Sequence, residues 1–144
     1  MSNGQEFDPL QFLPYLLNQA AEKSSQSFQL TYKRKYGILR TEWRVLFHIA
    51  LYHRITAKQI CQKASLHKTK VSRAISKLEQ RRYVQRHTNQ LDQRTDWLSL
   101  TAIGLSVYKD LCGHAGAYES SLQEKFSNED LAVFRRILHN LISE

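Results

Sequence analysis

The residues of this chain best placed to do chemistry together are cations. Between Lys63 and Arg94 stand nine of them (Lys63, Lys68, Lys70, Arg73, Lys77, Arg81, Arg82, Arg86 and Arg94) against two acids, Glu79 and Asp92. The whole chain holds 21 basic and 13 acidic residues, so twelve and eleven remain for all other positions, and nearly all of the formal +8 charge lies in this one stretch. Cations concentrated in this way suit a polyanion, because phosphate neutralisation and counterion release need Lys and Arg on one surface. The plainer alternative is a solvated charged face. Other chemistries find no frame. Ser, His and Asp are present without a G-x-S-x-G or similar arrangement, so no catalytic residues and no enzyme are expected. His48 and His53 are five apart, a spacing that does not put both on one helix face, and His114 and His139 lack partners at ligand spacing, so neither a metal nor a cofactor is expected. Cys61 and Cys112 are too few for a disulfide framework and read as reduced, buried, inert thiols.

The elements that must carry the cations follow from periodicity. With 144 residues, 42% of them hydrophobic, and only five Gly and two Pro, one compact domain without long linkers is expected. No apolar run approaches the roughly 18 residues of a membrane span, and the opening MSNGQEFDPL is polar and acidic, so a cytoplasmic protein with no membrane partner is expected. Asp8 and Pro9 look like the cap and first position of a long first helix reaching about Tyr36, with Leu10, Leu13, Leu16, Leu17, Ala20, Ala21 and Phe28 at helical spacing, a bend at Pro14 and a stop at Gly37. Thr41 caps a second helix to about His53, and Thr56 opens a short third over Ala57 to about Ala64. Ser65-Leu66-His67 makes a turn, and Lys68 to about Arg81 forms the fourth. At 100° per residue, Val71, Ile75 and Leu78 share one side of that fourth helix, while Thr69, Lys70, Ser72, Arg73, Ser76 and Lys77 share the other. A face chosen only for solubility would mix Glu with Lys at four-residue spacing. This one holds only donors and small hydroxyls, which lets a backbone approach and reach guanine edges or phosphates. Short helix, tight turn and basic helix together make a helix-turn-helix.

Beyond it the period falls to 2. Tyr83 to His87 and Thr95 to Leu100 read as strands flanking a loop with Asn89, Asp92 and Arg94, a hairpin wing with a basic tip. Thr101 caps a fifth helix through Gly104, Val107, Tyr108 and Leu111. Ser127-Asn128-Glu129-Asp130 looks like a capping box for a sixth, striped by Leu131, Phe134, Ile137, Leu138, Leu141 and Ile142. The fold class is mainly α with a small β-hairpin wing. A winged helix-turn-helix region spans 38–100, helical dimerisation regions span 8–36 and 101–144, and the whole of 1–144 forms a single chain unit. The terminal helices are too apolar for one winged domain to cover alone, which points to a homodimer.

In order and spacing, Trp43-Arg44-Val45-Leu46, Val71-Ser72-Arg73, Leu78-Glu79, Asp92-Gln93-Arg94 and Leu100-Thr101-Ala102-Ile103-Gly104 resemble the motifs of the multiple antibiotic resistance regulator (MarR) family. The motifs cover about Leu39 to Leu111, and the helix order covers the rest. One departure stands at Arg82, where the family usually has Gly after the leucine-glutamate pair: either the turn differs, or a left-handed arginine is tolerated for an added phosphate contact. The resemblance implies a homodimeric transcriptional regulator, usually a repressor, on a palindromic double-stranded DNA operator, often released by a small aromatic or anionic effector. It implies DNA contacts from Lys68, Thr69, Lys70, Ser72, Arg73, Ser76, Lys77, Arg86, Asp92 and Arg94, with Arg73 and its neighbours in the major groove and Arg94 in the minor groove. Asp92 would orient the wing by pairing with an arginine; an Asx turn is its alternative role. Tyr32, Arg34, Trp43, Arg44, Phe47 and His48 are of a type to line the effector site, although Trp43, Leu46 and Phe47 read rather as core. Some members bind zinc, and peroxide sensors use a first-helix cysteine that this chain lacks. The competing readings are a winged-helix module that docks an acidic protein, a ligand-independent regulator, and an enzyme on the same scaffold.

Overall fold

The computed structural model describes residues 4–92 and 94–143. Gln93 of the wing motif and the three residues that open the polar N-terminus lie outside the described residues. Asp8 accepts a hydrogen bond from the Leu10 amide at 2.9 Å, but only a 3-10 turn, Pro9–Gln11, follows it. Phe12 is extended, and helix α1 then runs Leu13–Tyr36 with Pro14 in its first turn. The expected continuous first helix is therefore broken at Phe12. A proline ring at position 14 would strike the carbonyl of residue 10 in an unbroken helix, so the helix restarts where Pro14 belongs to the opening turn. Gly37 ends α1 at φ +65, with its amide on the Lys33 carbonyl.

Helix α2 spans Arg40–Tyr52, two residues ahead of the expected start. Its cap is Leu39, without a side-chain bond, and Thr41 is inside the first turn. Glu42 in that turn offsets the positive helix end. Thr56 forms a full capping box with Gln59 for α3, Ala57–Ala64. His67 caps α4, Lys68–Gln80, through Nδ1. The strands are β1, Val84–Thr88, and β2, Asp96–Leu100, antiparallel with Val84 opposite Leu100 and Thr88 opposite Asp96. Each starts one residue later than its alternation suggested, because the Tyr83 amide is held by the Leu78 carbonyl at the end of α4 and the Thr95 amide by the Asp92 carbonyl. Helix α5 is Ala102–Lys125, capped by Thr101, and α6 is Asn128–Ser143, where Ser127 Oγ accepts from the Asp130 amide. The secondary structure of the described residues is therefore six α-helices, one 3-10 turn and a two-stranded hairpin, as the patterning required.

The core lies in the winged region. Ile38, Val45, Leu46, Ile49, Ile55, Ile60, Val71, Ile75, Leu78, Val84 and Leu98 are buried, joined by Tyr32 of α1 and Val107 and Leu111 of α5. Gly104 is where α5 meets this core: a Cβ there would lie 2.0 Å from the Tyr83 carbonyl oxygen, so the glycine of the Leu-Thr-x-x-Gly motif is a steric requirement. Arg82 has φ +62. Its amide donates to the Glu79 carbonyl and that of Tyr83 to the Leu78 carbonyl, the pair of bonds of a Schellman turn. The turn after α4 is thus the left-handed one, with arginine in it.

Candidate nucleic-acid interface

Burial of Val71, Ala74, Ile75 and Leu78 turns the other side of α4 outward, and Lys68, Thr69, Lys70, Ser72, Arg73, Ser76 and Lys77 are all exposed. The first turn of α4 carries no acid and two lysines. Cations at a helix N-terminus reinforce the positive end of the helix dipole, an arrangement that costs stability unless an anion sits there. Among the described residues Lys68, Lys70 and Arg73 enter no ion pair. Lys77 is different: its Nζ lies 3.9 Å from the carboxylate of buried Glu42, which reaches out from the first turn of α2.

The wing is built by two Asx residues. Asn89, only 7% exposed, accepts the Leu91 and Asp92 amides at 3.0 and 3.3 Å and donates to Thr95 Oγ1. The Asp92 carboxylate accepts the Arg94 amide at 3.0 Å, and among the described residues it pairs with no arginine side chain. The expected Asp92–arginine pair is therefore replaced by the Asx alternative: the carboxylate shapes the loop, and the Arg94 side chain is left exposed at the tip. Arg86, expected at the DNA, meets acids of its own chain. Its guanidinium lies 2.8 Å from Glu79 and 3.7 Å from Asp96, so it ties the end of α4 to the hairpin, and its charge is spent within the protein. Among the described residues, Lys68, Lys70, Arg73 and Arg94 thus stand at the surface without an ion pair, whereas Arg86 and Lys77 have acidic partners.

A second site lies between α1, α2 and α5, an open cavity of about 450 Å³ lined by Phe28, Tyr32, Arg40, Trp43, Arg44 and Tyr118 among others. Tyr32 and Arg44 are in it as expected. His48 is not: it stacks on Phe47 with its Nδ1 on the Arg44 carbonyl at 2.7 Å. Leu46 is core, as read, whereas Trp43 and Phe47 are only partly buried and line the cavity. Burial, and then the neighbouring Arg40, hold the Arg44 guanidinium below its usual range. Burial pushes the Tyr32 phenol up to about 12, so it stays neutral at physiological pH. Arg40 reaches Glu22 of α1 at 3.0 Å, and Arg44 donates at 2.5 Å to the carbonyl of Ala64, the last residue of α3. Sequence reasoning passed over Arg40; its spacing of four from Arg44 on one helix face was the available signal.

Cys61 is partly buried, but Cys112 is exposed, contrary to the buried thiol expected. Position 112 on α5 faces away from buried Val107 and Leu111. Among the described residues no three His, Cys, Asp or Glu side chains are grouped to hold a metal, and no helix is long and apolar enough to cross a membrane.

The architecture just described is matched by known proteins. Residues 36–95, which hold the helix-turn-helix and most of the wing, match the MarR family model. Through this winged helix the chain is similar to the MarR family. A MarR/EmrR family transcriptional regulator from Acinetobacter sp. ADP1 is 26% identical with a TM-score of 0.79, over 95% of this chain and 99% of that one. A mutant MarR from E. coli complexed with operator DNA is 19% identical with a TM-score of 0.82, over 94% and 99%. BpsR of Bordetella bronchiseptica, solved for the regulation of its DNA binding by 6-hydroxynicotinic acid, is 14% identical with a TM-score of 0.85, over 96% and 98%. No curated protein matches the chain. The MarR-type match reaches the terminal helices only in the structures, since the family model stops at residue 95.

Proposed function

We propose that this chain is a DNA-binding regulator of the MarR family, a repressor that grips a palindromic operator as a homodimer and lets go when a small aromatic acid enters the cavity between α1, α2 and α5. The observation that carries the reading is the outer face of α4, which presents Lys70, Ser72, Arg73 and Ser76 without an acid, beside a wing whose tip exposes Arg94. Arg73 and the small hydroxyls suit a major groove, and Arg94 suits the narrower minor groove or its flanking phosphates. The operator-bound E. coli relative shares this fold.

The homodimer is supported by apolar surface that one chain leaves in water. Leu10, Leu13, Ile103, Phe134, Ile137, Leu141 and Ile142 are each between 46% and 78% exposed. Covering such side chains stabilises by roughly 25 cal/mol for each Å² of apolar area.

Release has a physical route. A planar anion in the cavity would find aromatic walls and the paired guanidiniums of Arg40 and Arg44, whose mutual repulsion it relieves. Taking the Arg44 guanidinium costs α3 the bond to the Ala64 carbonyl, which is the direct link from the cavity to the helix-turn-helix. The bound state then favours a different seating of α3 and α4, which is what an effector needs in order to bind one state better than the other. BpsR, whose DNA binding responds to 6-hydroxynicotinic acid, has the same fold.

The test is equilibrium anisotropy with an operator selected from a random library and with random duplex, over a salt series. Replacing Arg73 with Ala should cost about 1 to 3 kcal/mol on the selected site and much less on random duplex. Arg94→Ala should weaken both, most where the flanks are A·T-rich. If both variants stay within a factor of about two of the parent, some 0.4 kcal/mol, the assignment fails.

A further inference from the structure

Ile55, between α2 and α3, pairs with Leu98 of β2 in an isolated antiparallel bridge, with its amide on the Leu98 carbonyl at 3.0 Å and the reverse bond at 2.8 Å. Both residues are buried, so the residues next to them, Arg54 and Trp97, turn to the outer face of the hairpin. There the Arg54 guanidinium lies over the Trp97 ring, 4.4 Å from its centroid, and Lys63 of α3 places its ammonium 4.5 Å from the centroid of Tyr52. The two pairs, with Gln59, line an open hollow of about 330 Å³ that no acid borders. Among the described residues neither Arg54 nor Lys63 enters an ion pair, whereas Arg40, Lys77 and Arg86 do.

A ring face steadies a cation without using its N–H donors, so both heads are ordered and their hydrogen-bonding edges are unspent. Such a cradle is a receptor for an oxyanion. Its place decides which one. Trp97 is three residues from Arg94 along the returning strand of the wing, about 10 Å at 3.3 Å per residue, and the minor groove is only about 6 Å wide. With the wing tip at that groove, the sugar-phosphate backbone beside it is within reach of the cradle.

Resting on the DNA-binding reading above, we propose that Arg54 and Lys63, held by Trp97 and Tyr52, form a third DNA contact that grips backbone phosphates beside the wing, apart from the recognition face of α4 and from Arg94. The contact sets affinity and salt dependence and reads no sequence.

The experiment pairs a double variant with a spectroscopic reporter. Arg54→Gln with Lys63→Gln keeps the aromatic rings and changes only exposed side chains. Its binding to random-sequence duplex should weaken several-fold, with a salt slope lower by about 2, one for each cation removed. In a Trp43→Phe background, Trp97 becomes the only tryptophan, and its emission should change when duplex is added and stay constant with inorganic phosphate. An unchanged salt slope in the double variant, together with a silent Trp97, overturns the cradle while Arg73→Ala still loses affinity and so upholds the DNA-binding reading. An emission change with inorganic phosphate as large as with duplex makes the hollow a small-anion site and overturns the backbone assignment. If the unaltered protein binds no duplex at all, both readings fall together.

Discussion

The winged region and the terminal helices obey different rules in one chain. Between Ile38 and Leu98 each element contributes to a closed core, from Val45, Leu46 and Ile49 on α2 to Leu78 on α4 and Leu98 on β2. Helix α6 buries no residue, and α1 buries only Tyr32. Yet α6 is as strongly striped as α4, with Phe134, Ile137 and Leu141 each nearly half exposed. An apolar stripe is therefore evidence that something covers it. Whether that cover is the same chain or another is decided by the connections: the turns between α2 and β2 are short enough to fold the stripes onto one another, whereas α6 follows a 24-residue α5 that carries it away.

The contrast can be broken most forcefully at the joint between the two regions. Gly104→Ala places a Cβ against the Tyr83 carbonyl and should cost about 4 kcal/mol or more, measured by urea unfolding, because backbone on both sides has to move. A loss below about 1 kcal/mol would mean that α5 is not packed as described.

A smaller and more pointed test compares one stripe with the other. Leu78→Ala empties a fully buried site and should cost about 2 to 5 kcal/mol at any protein concentration. Phe134→Ala should leave the unfolding of dilute protein within about 1 kcal/mol of the parent and shift the association seen by sedimentation. Equal, concentration-independent losses in the two variants would erase the distinction. A chain ending at Ser127, before α6, should sediment as a monomer that keeps its winged fold. Persistence of a folded dimer without α6 would remove that helix from the interface.

The smallest effect expected is a gain. Arg82 is left-handed and exposed, and its side chain makes no hydrogen bond among the described residues, so Arg82→Gly should raise stability by about 1 kcal/mol in thermal unfolding. If Arg82 adds a phosphate contact, the same variant should bind random duplex more weakly with a salt slope lower by about 1. Stability gained with DNA binding unchanged would leave the arginine without a role at the interface.

Local rules were enough for much of this molecule. The caps at Thr56 and Thr101, the stop at Gly37 and the two-sided α4 all depend on residues within one or two helical turns, where side chain and backbone are neighbours whatever the rest of the chain does. The donor-only face of α4 was legible for the same reason: once Val71, Ile75 and Leu78 point inward, the helical repeat dictates where Lys70, Ser72 and Arg73 point. Even the glycine of the Leu-Thr-x-x-Gly motif could be noticed, though its cause, the Tyr83 carbonyl, could not. What only the tertiary structure decided is which charges are spent. Arg86 and Arg94 are equal in the sequence, but Glu79 and Asp96 converge on the first from α4 and β2, while Asp92 is held by the backbone amide of Arg94 and leaves the second free. Glu42 meets Lys77, Arg44 meets Ala64, and Arg54 meets Trp97 across gaps of 20 to 43 residues. Such meetings depend on how helices and strands pack, which no local pattern encodes, and they determine which of 21 cations remain available to a partner.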